Sequence, residues 1–146
     1  MPIRHHHETT SPLPPEALFD ATLDFARWPD WDPGLEWVRL GEGPVVPGHR
    51  FALKPKDGPK VAMTLEAAER PYRLVDLAHL PLAVIRTFHE FEPDRRGSRV
   101  RVTIETSGPL AFLWDRILAR KLIQDTEPQL QRLTAHLRAS QPASVA

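Results

Sequence analysis

The chain has no cysteine, which removes disulfides, thiolate nucleophiles and cysteine-based zinc sites and makes folding indifferent to redox compartment. It also lacks any excess of positive charge, since 19 basic residues balance 19 acidic ones. Proteins that bind nucleic acid take most of their affinity from neutralised phosphates, so no nucleic-acid partner is expected. No apolar run approaches the roughly 20 residues that span a bilayer, so no integral membrane segment is expected. The opening Met1-Pro2-Ile3-Arg4-His5-His6-His7 lacks the apolar stretch of a secretory signal, and a cytoplasmic address is the expectation.

Proline, by contrast, is plentiful: 16 residues, roughly twice the average usage. Prolines fix turns and end helices, and here they divide the chain into short elements. The 146 residues suit one domain, expected over 1–139, with a short polar tail over 140–146. Residues Pro2 to Ser11 read as an extended strand, broken by Ser11-Pro12-Leu13-Pro14-Pro15. Pro15 then suits the first turn of a helix in which Leu18, Ala21/Thr22 and Phe25 share a face. A second short helix fits Trp28-Pro29-Asp30-Trp31-Asp32-Pro33.

From Leu35 onward the apolar period becomes two. Strands are expected over Leu35 to Leu40, Arg50 to Lys54, Lys60 to Glu69, Tyr72 to Leu80 and Val84 to Glu92, with a last one from near Arg99. Asp57-Gly58 marks a hairpin, and Val100, Val102 and Ile104 alternate with Arg101, Thr103 and Glu105 as in a half-buried antiparallel strand. A single long helical pattern closes the chain, Leu110 to Arg138, with Trp114, Leu118 and Leu122 in line and a break expected near Asp125 to Glu127 ahead of Pro128. The order, one strand, two short helices, six strands and a long helix, is an α+β pattern.

Several local motifs carry a family resemblance. Pro14-Pro15-Glu16-Ala17-Leu18-Phe19, Trp28-Pro29-Asp30-Trp31, Pro47-Gly48-His49-Arg50-Phe51, Phe88-His89-Glu90-Phe91-Glu92-Pro93 and Gly108-Pro109-Leu110 stand in the right order along the chain. With them the sequence resembles the START-like superfamily, also called SRPBCC or polyketide cyclase/dehydratase-like. The resemblance implies a helix-grip fold, in which a seven-stranded curved antiparallel sheet holds the long C-terminal helix, with the two short helices between strands 1 and 2. It also implies an internal apolar cavity. It implies no catalytic residue, because the superfamily shares no catalytic set and one fold hosts many functions.

The expected cavity walls are Met63, Leu65, Phe91, Val102 and Ile104 with Trp114 and Leu118 of the final helix, and Trp28 and Trp31 stand near its entrance. Its candidate polar contacts are Asp76, His79 and His89. Strand alternation leaves the facing of His89 open, because either Thr87, His89 and Phe91 or Arg86, Phe88 and Glu90 point inward. His79 shares that ambiguity. A buried Asp76 would have a raised pKa and could serve as a base. His5 and His7 share one strand face and could meet His89 at a metal, but no ligand motif fixes them, so neither a metal nor any other cofactor is expected. The apolar run Leu110-Ala111-Phe112-Leu113-Trp114 suits a cavity lid or plain core better than a dimer contact or a membrane patch.

The function expected on these grounds is binding of a hydrophobic small molecule, whether lipid, polyketide-like or aromatic. The alternatives are a cyclase/dehydratase-type enzyme on a polyketide-like substrate, and a protein-interaction module that uses the helix patch, with a homodimer as one form.

Overall fold

A computed structural model describes residues 2–140. Strand β1 (Ile3–Ser11) leads to helix α1 (Pro15–Leu23) and a 3-10 turn (Phe25–Asp30). Strands β2 (Leu35–Leu40), β3 (Arg50–Pro55), β4 (Val61–Glu69), β5 (Arg73–Leu80), β6 (Ala83–Asp94) and β7 (Gly97–Ser107) follow. All seven form one antiparallel sheet in the order β1-β7-β6-β5-β4-β3-β2. This is the helix-grip architecture, with consecutive strands joined as a meander and β1 returned to the far edge beside β7.

The sheet's inner face carries the core. Leu74, Ile85, Phe91, Val100, Val102 and Ile104 are buried there against Leu18 and Phe19 of α1 and Leu133 of the last helix. At the β3 end Phe25 stacks on Phe51 (4.0 Å, 10° between planes), and Trp28 meets both rings edge-on. A bulge between Leu65 and Ala67 bends β4, a device that raises local twist and curvature. The outer face carries a charge ladder across strands: Arg4 and Arg86 both bond Glu105, and Arg86 also bonds Glu66 at 2.8 Å.

Two glycines permit close approaches. Gly97 (φ 144°) lies where a Cβ would stand 2.4 Å from the Ser11 carbonyl oxygen, which lets the β6–β7 turn press on the end of β1. Gly108 (φ 111°) similarly lies against Leu82, 2.7 Å from its carbonyl oxygen.

The C-terminal helical segment is more broken than its periodicity suggests. It runs as α2 (Ala111–Trp114), a π-helical turn (Asp115–Ala119), α3 (Arg120–Gln124) and α4 (Thr126–Ser140). The break at Asp125 falls where Pro128 predicts it. The π turn is a departure with a consequence: the buried line is Ala111, Asp115 and Ala119, while Leu122 of the expected apolar line is exposed. Ser140, the first residue of the expected polar tail, ends α4, and residues 141–146 of that tail lie outside the described residues.

Candidate functional site

Strand register decides which side chains look inward. His89 lies opposite Leu74 on β5 and Val102 on β7, both buried, so Thr87, His89 and Phe91 share the inner face. The alternative set falls outside: Phe88 and Glu90 line a groove on the outer face with Arg4, His6, Arg101 and Thr103. That groove has a volume of about 390 Å³, but its arginines are engaged, Arg4 with Glu105 and Arg101 with Glu8.

Asp76, opposite Thr87 and Leu65, is also on the inner face, and its Oδ2 accepts a hydrogen bond from His89 Nε2 at 3.0 Å. The carboxylate is nearly sealed (6% side-chain exposure) while the imidazole keeps 20%. A carboxylate can only accept, so the bond places a proton on Nε2 and leaves Nδ1, which has no partner among the described residues, able to accept. The pair is thus an oriented acceptor set in apolar surroundings.

His79 does not join it. Three residues beyond Asp76 along the strand, it projects from the opposite face, is exposed, and bonds the Thr64 hydroxyl at 2.8 Å. Strand geometry forces this correction, because side chains an odd number apart point to opposite faces.

The five expected wall residues Met63, Leu65, Phe91, Val102 and Ile104 are all on the inner face and all buried in the continuous core. Leu118 is half-buried against that core. Trp28 serves the aromatic cluster, its Nε1 donating to the Thr22 carbonyl at 3.0 Å, and Trp31 leans on it edge-on at 6.4 Å. Trp114 turns toward the β5–β6 connection, where its Nε1 donates to the Pro81 carbonyl at 2.9 Å. Its neighbours Phe112 and Leu113 are exposed rather than plain core.

Sequence reasoning missed a second polar system, between β1 and the C-terminal helix. His5 Nε2 donates to Asp115 Oδ1 at 2.7 Å, and Arg120 Nε donates to Asp115 Oδ2 at 3.0 Å. One strand step on, His7 Nε2 meets Glu127 Oε2 at 3.2 Å. Hydrogen bonds from Thr9 and then His7 hold the Glu127 carboxyl below its usual range, against the opposing effect of burial. His5 and His7 do share a face, yet each serves a different carboxylate and His89 serves a third, so the imidazoles do not converge. Among the described residues no group of three or more His, Asp or Glu is arranged to hold a metal. The available signal was the spacing of four in Ala111, Asp115 and Ala119, an acid within an otherwise small, apolar line.

The family model described as "Polyketide cyclase / dehydrase and lipid transport" matches residues 2–138. The chain belongs to that family. Several solved structures share its fold. Ara h 8.0201 superposes with a TM-score of 0.78 at 18% identity, covering 96% of this chain and 100% of that one. A protein from Rhodobacter sphaeroides gives 0.72 at 18% identity, over 94% and 93% of the two chains. The di-domain ARO/CYC BexL from the BE-7585A biosynthetic pathway gives 0.75 at 16% identity over 97% of this chain, which spans 51% of BexL. At such identities the likeness establishes fold alone. A search of the curated proteins found no match.

Proposed function

We propose that this family member binds a hydrophobic small molecule bearing at least one hydrogen-bonding oxygen, seated on the inner face of the sheet at His89. The observation that carries the reading is the His89–Asp76 pair, a polar couple turned into an apolar interior with the imidazole still accessible. Buried polar groups in a ligand site fix orientation, while apolar contact supplies affinity at about 25 cal/mol per Å². Val102, opposite the imidazole on β7, keeps 8% exposure and offers part of that contact, while Leu74 and Phe91 are packed in the core behind it. The family's range, cyclisation and dehydration on one hand and lipid transport on the other, suits such a ligand.

Native mass spectrometry against paired ligands tests this, one with a carbonyl or hydroxyl and one with that group replaced by methylene. Wild type should prefer the oxygenated member, and His89→Ala should lose that preference by about fivefold, the worth of roughly one hydrogen bond. Equal binding of both members by wild type would refute the assignment.

One observation favours a catalytic version of the same site. Asp76 holds Nε2 and leaves Nδ1 open, which is how an imidazole is set as a general base toward a carbon acid next to a carbonyl. Deuterium exchange at the α-carbon of a bound ketone would reveal it. Asp76→Asn should slow exchange by about a hundredfold or more, and exchange no faster than in buffer would dismiss it.

A further inference from the structure

The start of the C-terminal helix presents a patch that the inner site does not use. Phe112 is 65% exposed, Ile117 56% and Leu82 64%, with Leu113 beside them. Single exposed apolar residues are ordinary, but these are gathered: Leu110 N donates to the Leu82 carbonyl at 3.0 Å, and Trp114 bonds the Pro81 carbonyl. The helix start and the tip of the β5–β6 turn are therefore fastened together at one end of the sheet. Leu82 takes a positive φ of 57°, unusual for a branched side chain, and it stands out into solvent there.

Charge narrows the occupant. The exposed positions between Phe112 and Lys121 include Arg116, Arg120 and Lys121, and no acid. Asp115, the only carboxylate of the segment, faces inward, where it is 3% exposed and neutralises part of Arg120. Arg116 and Lys121 carry no ion pair among the described residues. A second copy of this chain would bring the same cations against these, which disfavours self-association. Protruding aliphatic and aromatic side chains interleaved with cations are instead the makings of an interfacial helix, whose apolar residues enter the headgroup boundary while cations meet anionic lipid. The segment lies on such a surface rather than crossing it, since no described helix is long and apolar enough to span a membrane.

We infer that Leu82, Phe112, Leu113 and Ile117, with Arg116 and Lys121, form a docking surface for an anionic lipid bilayer. Sedimentation of the full chain with vesicles of phosphatidylglycerol and phosphatidylcholine, against phosphatidylcholine alone, tests it. Wild type should partition onto the anionic vesicles and be released by high salt. Arg116→Glu with Lys121→Glu should weaken partitioning by about fivefold or more per cation. Phe112→Ser with Ile117→Ser should weaken it comparably at unchanged helicity. His89→Ala should leave partitioning unchanged, which separates this surface from the ligand site. No partitioning by wild type, or partitioning indifferent to both pairs, overturns the inference. So does a concentration-dependent dimer by light scattering that the Phe112/Ile117 variant abolishes, because that result assigns the patch to a second copy.

Discussion

Deleting the imidazole of His89 leaves the Asp76 carboxylate buried without its partner, and stranding a buried polar group costs more than the bond itself was worth. His89→Ala should therefore destabilise the fold by about 1–3 kcal/mol in chemical denaturation, in addition to its effect on ligand preference. Gly97→Ala should cost at least about 2 kcal/mol, because the new methyl meets the backbone of Ser11 and Pro12 and no side chain is there to yield. Leu82→Gly works in the other direction. It relieves a left-handed backbone that costs a non-glycine residue about 1 kcal/mol, so a raised melting temperature is expected alongside weaker vesicle binding.

Among the elements, the clamp between β1 and the C-terminal helix has an asymmetry that mutation can expose. Asp115 is sealed, whereas His5 keeps 30% and Arg120 57% side-chain exposure. Asp115→Ala removes the buried charge and leaves two partners that reach water, so a loss of about 1 kcal/mol is expected. His5→Ala leaves the buried carboxylate with one partner fewer and should cost about 2–3 kcal/mol. Equal losses by urea titration would show that the clamp is not the asymmetric pair described. These same elements show what periodicity reveals. The seven strands and the break before Pro128 were legible because alternation and proline act locally. Asp115 was not, because hydropathy reads an acid as outward-facing, and its burial is made tolerable by Arg120 one turn on together with the histidine of a strand 110 positions away. The facing of His79 and His89 was open for a related reason: a strand flanked by apolar residues on both faces, as β5 is by Leu74 and Val75, does not declare its inner side.

For the whole molecule, the outer charge ladder sets the response to acid. Hydrogen bonds from Arg4, and then the charges of Arg4 and Arg86, hold Glu105 below its ordinary range despite its burial. Arg70 does the same for the more exposed Asp20. A carboxyl with a lowered native pKa adds stability that is fully present above its unfolded value and is lost as pH falls through the native one. Melting temperature should thus fall below about pH 5. Glu105→Gln should start lower at neutral pH and fall less steeply, and parallel curves for the two proteins would exclude Glu105 as a source of the acid limb.

The pairing of β1 with β7 has a further consequence, for the order of events during synthesis. Ile3 pairs with Thr106 and Ser11 with Ser98, so the first strand made is held by the last. At a ribosomal pace of about 5–20 residues per second, β1 waits on the order of 5–20 s for its partner to be made, with the alternating apolar and polar side chains of an unpaired strand on display. The nascent chain can build the β2–β6 meander as it emerges, but the sheet closes, and His5 finds Asp115, only after β7 and the helix behind it have been made. Closure of the sheet is in that sense deferred until its last strand exists, and the interval before it is when a chaperone would find β1 unclaimed.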